Sequence, residues 1–178
     1  IASSTNGGPS LASNDRFGFA VTSLGDLDGD GVADLAVGAT YDNTGGSYSG
    51  AVHVLMLNAN GSVKSSVKIA SSTNGGPSLA SNDRFGSSVT LLGDLDGDGV
   101  ADLVVGAYRD DTGGTSRGAV YVLQLKADGS AKKSTKIASD TSGGPTLADL
   151  ASFGGAVTPL GDLDGDGVND LAVGSRGD

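Results

Sequence analysis

Three times the chain reads Gly-Asp-Leu-Asp-Gly-Asp-Gly-Val-x-Asp-Leu, placing Asp26, Asp28, Asp30 and Asp34, then Asp94, Asp96, Asp98 and Asp102, then Asp162, Asp164, Asp166 and Asp170, at identical spacing. Four carboxylates within nine residues repel one another strongly, and a hard divalent cation that takes six to eight oxygen ligands relieves that repulsion. Alternate aspartates at loop positions 1, 3 and 5 converge on one point when the loop curls. Glycine at position 6 (Gly31, Gly99, Gly167) permits the sharp turn, the carbonyl of position 7 (Val32, Val100, Val168) adds a ligand, and the aspartate at position 9 closes the shell.

The pattern begins like an EF-hand loop but departs from it at position 12, where Val37, Val105 and Val173 stand in place of a bidentate glutamate. A Leu-Ala-Val-Gly or Leu-Val-Val-Gly strand follows instead of a helix. Asp-Gly-Asp-Gly is also good metal-free turn chemistry, but four aspartates kept in all three copies favour an ion. Calcium fits better than magnesium, which retains its waters and demands a tighter octahedron. Three Ca²⁺ would move the formal charge from -10 to -4 (-10 + 3 × 2).

Other chemistry is poorly supplied. The chain has no Cys and no Glu, and its single histidine, His53, is replaced by Tyr121 in the next copy. General acid-base catalysis therefore lacks a candidate once the aspartates are committed to metal, and His53 is expected to be a core or face residue. No enzyme is expected. With 11 basic residues, 21 acidic ones, no basic cluster and a pI near 4.2, the chain is not suited to nucleic acid. No apolar run approaches a membrane span.

The elements that must position the loops follow from an internal repeat. Residues 1–18 recur letter for letter as 69–86, and a diverged copy begins at Ile137, so Ile1, Ile69 and Ile137 open equivalent units at an even period. The first two copies differ at 17 positions and so match at 51 of 68, while the third runs only from Ile137 to Asp178. The expected units are 1–68, 69–136 and a partial 137–178. Copies this alike favour a modular array over a unique catalytic constellation. The opening at Ile1-Ala2-Ser3 suggests a mature or excised segment.

Aspartate, serine, threonine, asparagine and glycine (31 Gly) disfavour helix. Turn-rich stretches separate four strands per unit, expected over 17–24, 34–40, 50–57 and 63–70, with equivalents one period on. The third, Ala51-Val-His-Val-Leu-Met-Leu57, is apolar on both faces, as a strand between two neighbouring sheets must be. The fourth carries Lys64 and Lys68, then Lys132, Lys133 and Lys136, and reads as a solvated outer edge rather than a basic ligand patch.

These residues resemble the FG-GAP repeat of integrin alpha-subunit heads and many bacterial extracellular proteins. The resemblance rests on Phe17-Gly18, Phe85-Gly86 and Phe153-Gly154, on the three aspartate loops, and on Val37-Gly-Ala-Thr40, Val105-Gly-Ala-Tyr108 and Val173-Gly-Ser-Arg176. The family's proline is absent from all three copies, and the period is long because of a Ser/Gly-rich insert before Phe-Gly. The resemblance implies an all-β chain of four-stranded antiparallel β-propeller blades, with calcium in the hairpin loop between the first two strands of each.

Because propellers close with four to eight blades, about 2.6 units imply part of a longer chain, several chains completing one another, or an open array. Partners are expected to be further repeats of the same chain, other copies of itself, or an extracellular protein or glycan. Arg176-Gly177-Asp178 spells an integrin-recognition tripeptide but aligns with ordinary repeat positions, Tyr108-Arg109-Asp110 and Thr40-Tyr41-Asp42, and is not read as an adhesion ligand. Asn60-Gly61-Ser62 is read as a hairpin turn rather than a glycan acceptor. The expected function is a non-catalytic, calcium-stabilised repeat module for adhesion, scaffolding or filament assembly outside the cell. The competing expectation is recognition of carbohydrate or protein on a propeller face, with Tyr41, Tyr48 and Arg109 in the loops that would make contact.

Overall fold

A computed structural model describes residues 1–177, and no helix occurs among them. Ten strands form three antiparallel sheets. The first holds β1 (Phe17–Gly25), β2 (Asp34–Ala39), β3 (Ala51–Leu57) and β4 (Val63–Ala70) in the order β1-β2-β3-β4. The second repeats that order with β5 (Ser88–Gly93), β6 (Asp102–Ala107), β7 (Ala119–Leu125) and β8 (Ala131–Ala138). The third has β9 (Ala156–Gly161) and β10 (Asp170–Gly174). Strand neighbours in sequence are neighbours in space, so each sheet is a meander closed by hairpins. The sheets are open and form no ring, as expected of part of a β-propeller.

The first strands, β1, β5 and β9, pack side by side, with β5 between the other two. The fourth strands are the outer edges, where the lysines were expected. The hydrophobic core lies between sheets rather than within one. Val52, Val54 and Met56 of β3 pack in one buried cluster with Leu103, Val105, Tyr121 and Leu123 of the second sheet. Val104, Val120 and Phe153 do the same toward the third, where Val157, Leu171 and Val173 meet them. β3 is buried along nearly its whole length, with Val52, Val54 and Met56 in the cluster shared with the second sheet, Leu55 clustered with Val37 and Val63, and His53 set against Phe17.

The Phe-Gly and Val-Gly-Ala segments are where one sheet docks on the next. Phe85 and Phe153 form parallel bridges to Gly50 and Gly118 of the preceding unit, and Phe85 is wholly buried, edge-on to Tyr121 at 5.5 Å between ring centroids. A Cβ on Gly38 would lie 2.0 Å from the Gly86 oxygen, and one on Gly106 would lie 2.0 Å from the Gly154 oxygen. Glycine is required there because two backbones meet with no room between them. In the first unit β1 starts at Phe17 itself, whereas β5 and β9 begin after their Phe-Gly pair.

Candidate metal centres

Each aspartate loop joins the first two strands of its sheet at the end where Gly25 pairs with Asp34 and Gly93 with Asp102. Within the loop Asp26 acts as the hub. Its Oδ1 accepts the amide N–H groups of Gly29 and Asp30 at 2.8 and 2.9 Å, and its Oδ2 that of Gly31 at 2.8 Å. Asp94 and Asp162 make the same three bonds. Gly31, Gly99 and Gly167 have φ of +87°, +85° and +89°, the left-handed turn anticipated for position 6.

Asp34 ties the loop to the sheet. Wholly buried, it accepts the Leu27 N–H through Oδ2 at 3.0 Å and the Leu57 N–H, at the end of β3, through Oδ1 at 2.9 Å. Asp102 repeats both bonds with Leu95 and Leu125. Burial raises the Asp102 carboxyl above the ordinary carboxylate range, against the lowering by those two amides.

These anchors bring positions 1, 3 and 9 together. One carboxylate oxygen from each of Asp26, Asp28 and Asp34 lies within 4.8 Å of the other two, and so do those of Asp94, Asp96 and Asp102 and of Asp162, Asp164 and Asp170. All-oxygen donor sets of this kind suit a hard divalent cation. Asp28 Oδ1 is buried and has no hydrogen-bond partner, an orphaned acceptor that a cation would satisfy.

Position 5 is outside the triad. Asp30 turns Oδ1 to the Val32 N–H at 2.9 Å and Oδ2 to Lys64 Nζ at 2.7 Å. Asp98 turns likewise to the Val100 N–H and to Lys132, and Asp166 to the Val168 N–H. The lysines hold the Asp30 and Asp98 carboxyls below the usual carboxylate range, and Asp28, Asp30, Asp96 and Asp98 raise the two ammonium groups in return. Lys64 and Lys132 are thus edge residues by position but reach back over their own sheet to the loop. Lys68 and Lys136 do so at the opposite end, pairing with buried Asp42 and Asp110 at 2.6 and 2.7 Å.

His53 is a core residue, as expected: buried, edge-on to Phe17, both ring nitrogens without partners, its pKa lowered to about 4 by burial and by Lys68. Gly61 has φ of +79° in the turn over Asn58 to Ser62, so Asn60-Gly61-Ser62 is the hairpin anticipated. Of the Arg-Gly-Asp tripeptide, Asp178 lies outside the described residues, and Gly177 donates its N–H to the Ala151 carbonyl at 3.0 Å.

The opposite end carries a feature the sequence did not reveal. The Tyr41 ring has the guanidinium carbons of Arg16 and Arg84 at 3.8 and 3.9 Å from its centroid, too close for both to share one face. Arg84 also lies 4.5 Å from the Tyr48 centroid. Arg84 is 7% exposed, and its Nε and Nη1 have no hydrogen-bond partner. The sequence singles out Tyr41 and Tyr48 as contact residues, whereas for the two arginines the one hint is Arg-Phe-Gly, shared by the first two copies and Ser-Phe-Gly in the third.

Residues 17–55 and 85–123 match the family model of the FG-GAP repeat. The chain carries FG-GAP repeats. Its relatives are integrin alpha subunits, a cell-adhesion family: it is 34% identical over 162 residues to integrin alpha-PS5 of Drosophila melanogaster, covering 90% of this chain and 15% of that protein. It is 34% identical over 169 residues to integrin alpha-4 of Xenopus laevis (95% of this chain, 15% of that protein) and 36% identical over 170 residues to integrin alpha-11 of Homo sapiens (90% and 12%). The chain therefore spans less than a sixth of the length of these relatives. Both matched FG-GAP segments start at the phenylalanine of a Phe-Gly pair, Phe17 or Phe85, contain the aspartate loop and stop within the third strand of their sheet.

Proposed function

We propose that this chain is a non-catalytic, calcium-stabilised module of an extracellular or cell-surface adhesion protein, divided into repeats 1–68, 69–136 and 137–178. One ion per repeat is held by Asp26, Asp28 and Asp34, by Asp94, Asp96 and Asp102, and by Asp162, Asp164 and Asp170. The position-5 aspartates Asp30, Asp98 and Asp166, which turn to a loop amide and, in the first two loops, to a lysine, would have to swing inward to complete the shells together with the carbonyls of Val32, Val100 and Val168. The observation that carries this reading is the threefold convergence of carboxylates within 4.8 Å, with Asp28 Oδ1 orphaned among them. Calcium would neutralise the loop charge and fix the end at which the first two strands of each sheet join. Extracellular modules bind calcium at roughly 10⁻⁴ to 10⁻³ M, which matches the exterior and is ineffective in resting cytosol. Further repeats of the same chain or other copies of it would complete the propeller.

The test is thermal unfolding in excess calcium and in chelator. At calcium about tenfold above Kd each site contributes about 1.4 kcal/mol, so three contribute about 4 kcal/mol and raise Tm by roughly 8–16 °C. Equal melting temperatures in the two buffers would refute the reading.

A second role is supported by the stack of Arg16, Tyr41, Arg84 and Tyr48: recognition of an acidic extracellular protein at the end opposite the aspartate loops. Tyrosine and arginine dominate binding hot spots, and the accessible members of the stack, Arg16 and Tyr48, offer a guanidinium and a phenol to a carboxylate partner. The competing glycan reading is separated from it by binding assays on an acidic peptide panel and a glycan array with the Arg84→Ala variant.

A further inference from the structure

We propose that Lys64 and Lys132 are tethered counter-cations that hold the aspartate loops together in the ion-free protein and set the affinity of the first two sites. This rests on reading the triads as calcium sites. Lys64 Nζ lies 2.8 Å from Asp28 Oδ2 and 2.7 Å from Asp30 Oδ2. Lys132 Nζ lies 2.7 Å from Asp96 Oδ2 and pairs with Asp98 as well. Each lysine therefore bridges positions 3 and 5 of its loop from the far edge of the sheet, two hairpins further along the chain, and it does so in both four-stranded repeats.

A single surface ion pair contributes little, but the placement here is particular. Asp28 belongs to the triad, and its Oδ1 is the orphaned acceptor while its Oδ2 is bound to the ammonium. A cation on Oδ1 and the ammonium on Oδ2 would share one carboxylate, with roughly 6 Å between like charges. Two effects follow. Without an ion, the ammonium offsets the mutual repulsion of the loop carboxylates and keeps the loop curled. With an ion, the ammonium weakens the shared donor and repels the incoming charge, lowering affinity by about tenfold at water-like screening. The loop therefore stays folded when calcium is scarce and loads only at high calcium.

The third loop is an internal control, because among the described residues Asp164 and Asp166 pair with no lysine. The experiment is isothermal titration of calcium into the full chain, the K64Q/K132Q double variant and the K64R/K132R double variant, at low ionic strength and at about 1 M salt. Two of the three sites are expected to tighten about tenfold in the glutamine variant and to keep wild-type affinity in the arginine variant. The difference should narrow at high salt, where charges beyond about 3 Å are screened. In chelator the glutamine variant melts below wild type and the arginine variant does not. Failure of the wild-type chain to bind calcium would overturn the site assignment itself. Calcium binding with unchanged affinity in the glutamine variant, or equal tightening in the arginine variant, would overturn the lysine proposal while leaving the sites standing.

Discussion

Asp34 is predicted to stabilise the fold even when no ion is present, and Asp34→Asn tests this directly. Its two oxygens accept buried amides from Leu27 and Leu57 at 3.0 and 2.9 Å, joining the loop to β3. Asparagine keeps one acceptor and turns an NH₂ donor toward the other N–H. One charge-assisted bond is lost, worth about 1.5–3 kcal/mol, and a buried N–H is left unsatisfied at a further cost of about 1 kcal/mol or more. A net loss of about 3 kcal/mol corresponds to roughly 6–12 °C in Tm for a chain of this size. Asp28→Asn is the comparison, since the Asp28 carboxylate pairs only with Lys64 and leaves Oδ1 unpartnered. In chelator it should cost under about 1 kcal/mol, yet it should remove part of the calcium-dependent rise in Tm. Urea and thermal unfolding in chelator and in calcium, followed by far-UV circular dichroism, give both numbers for both variants. If Asp34→Asn in chelator changes stability by no more than an inconsequential surface substitution does, about 0.5 kcal/mol, the anchoring role assigned to Asp34 is wrong.

Three further outcomes are expected. Gly86→Ala should cost about 3 kcal/mol or more in urea unfolding, because its Cβ would sit 2.4 Å from the Ala51 oxygen at φ +85°, whereas Gly18→Ala, at φ +91° with open space around it, should cost only the backbone strain of about 1–2 kcal/mol. His53→Tyr should stabilise by about 1 kcal/mol, since Tyr121 at the equivalent position donates to buried Asp110 at 2.8 Å while His53 has no partner. With its pKa lowered to about 4, His53 also binds fewer protons folded than unfolded, so wild-type stability should fall as pH drops from about 6.5 toward 4 and the variant should lose that component of the slope. Asp83, buried and raised to about 6, has the opposite sign: the folded state holds its proton longer, so stability falls as pH rises from about 4 to 6, and Asp83→Asn should gain about 1–3 kcal/mol at pH 7.5 relative to pH 4.

The strands were legible because their signals are local. Apolar periodicity and turn residues placed 63–70 without error and the other strands of the first unit within one residue, at Gly25, Ala39 and Ala51. The convergence of Asp26 and Asp28 was legible for the same reason, since a curling loop brings near neighbours together. The pairing of Asp30 with Lys64 was not legible, because the arrival of Lys64 depends on the register of two further hairpins. The Arg16, Tyr41, Tyr48 and Arg84 stack was hidden because it joins three segments of two units, and no spacing encodes that.

By itself the sequence determined the repeat, the all-β class, the hairpin order and an acidic loop suited to a divalent cation, since each is set by residues within a few positions of one another. Only the tertiary structure decided why Phe-Gly and Val-Gly-Ala recur, because the need for glycine arises where the backbones of two successive sheets meet. It also decided that Asp34 and Asp102 serve the sheet as well as the loop, and that lysines on the outer strand neutralise carboxylates across it. Those contacts join residues far apart in the chain, and their energies depend on burial and close approach, which exist only once the sheets have packed.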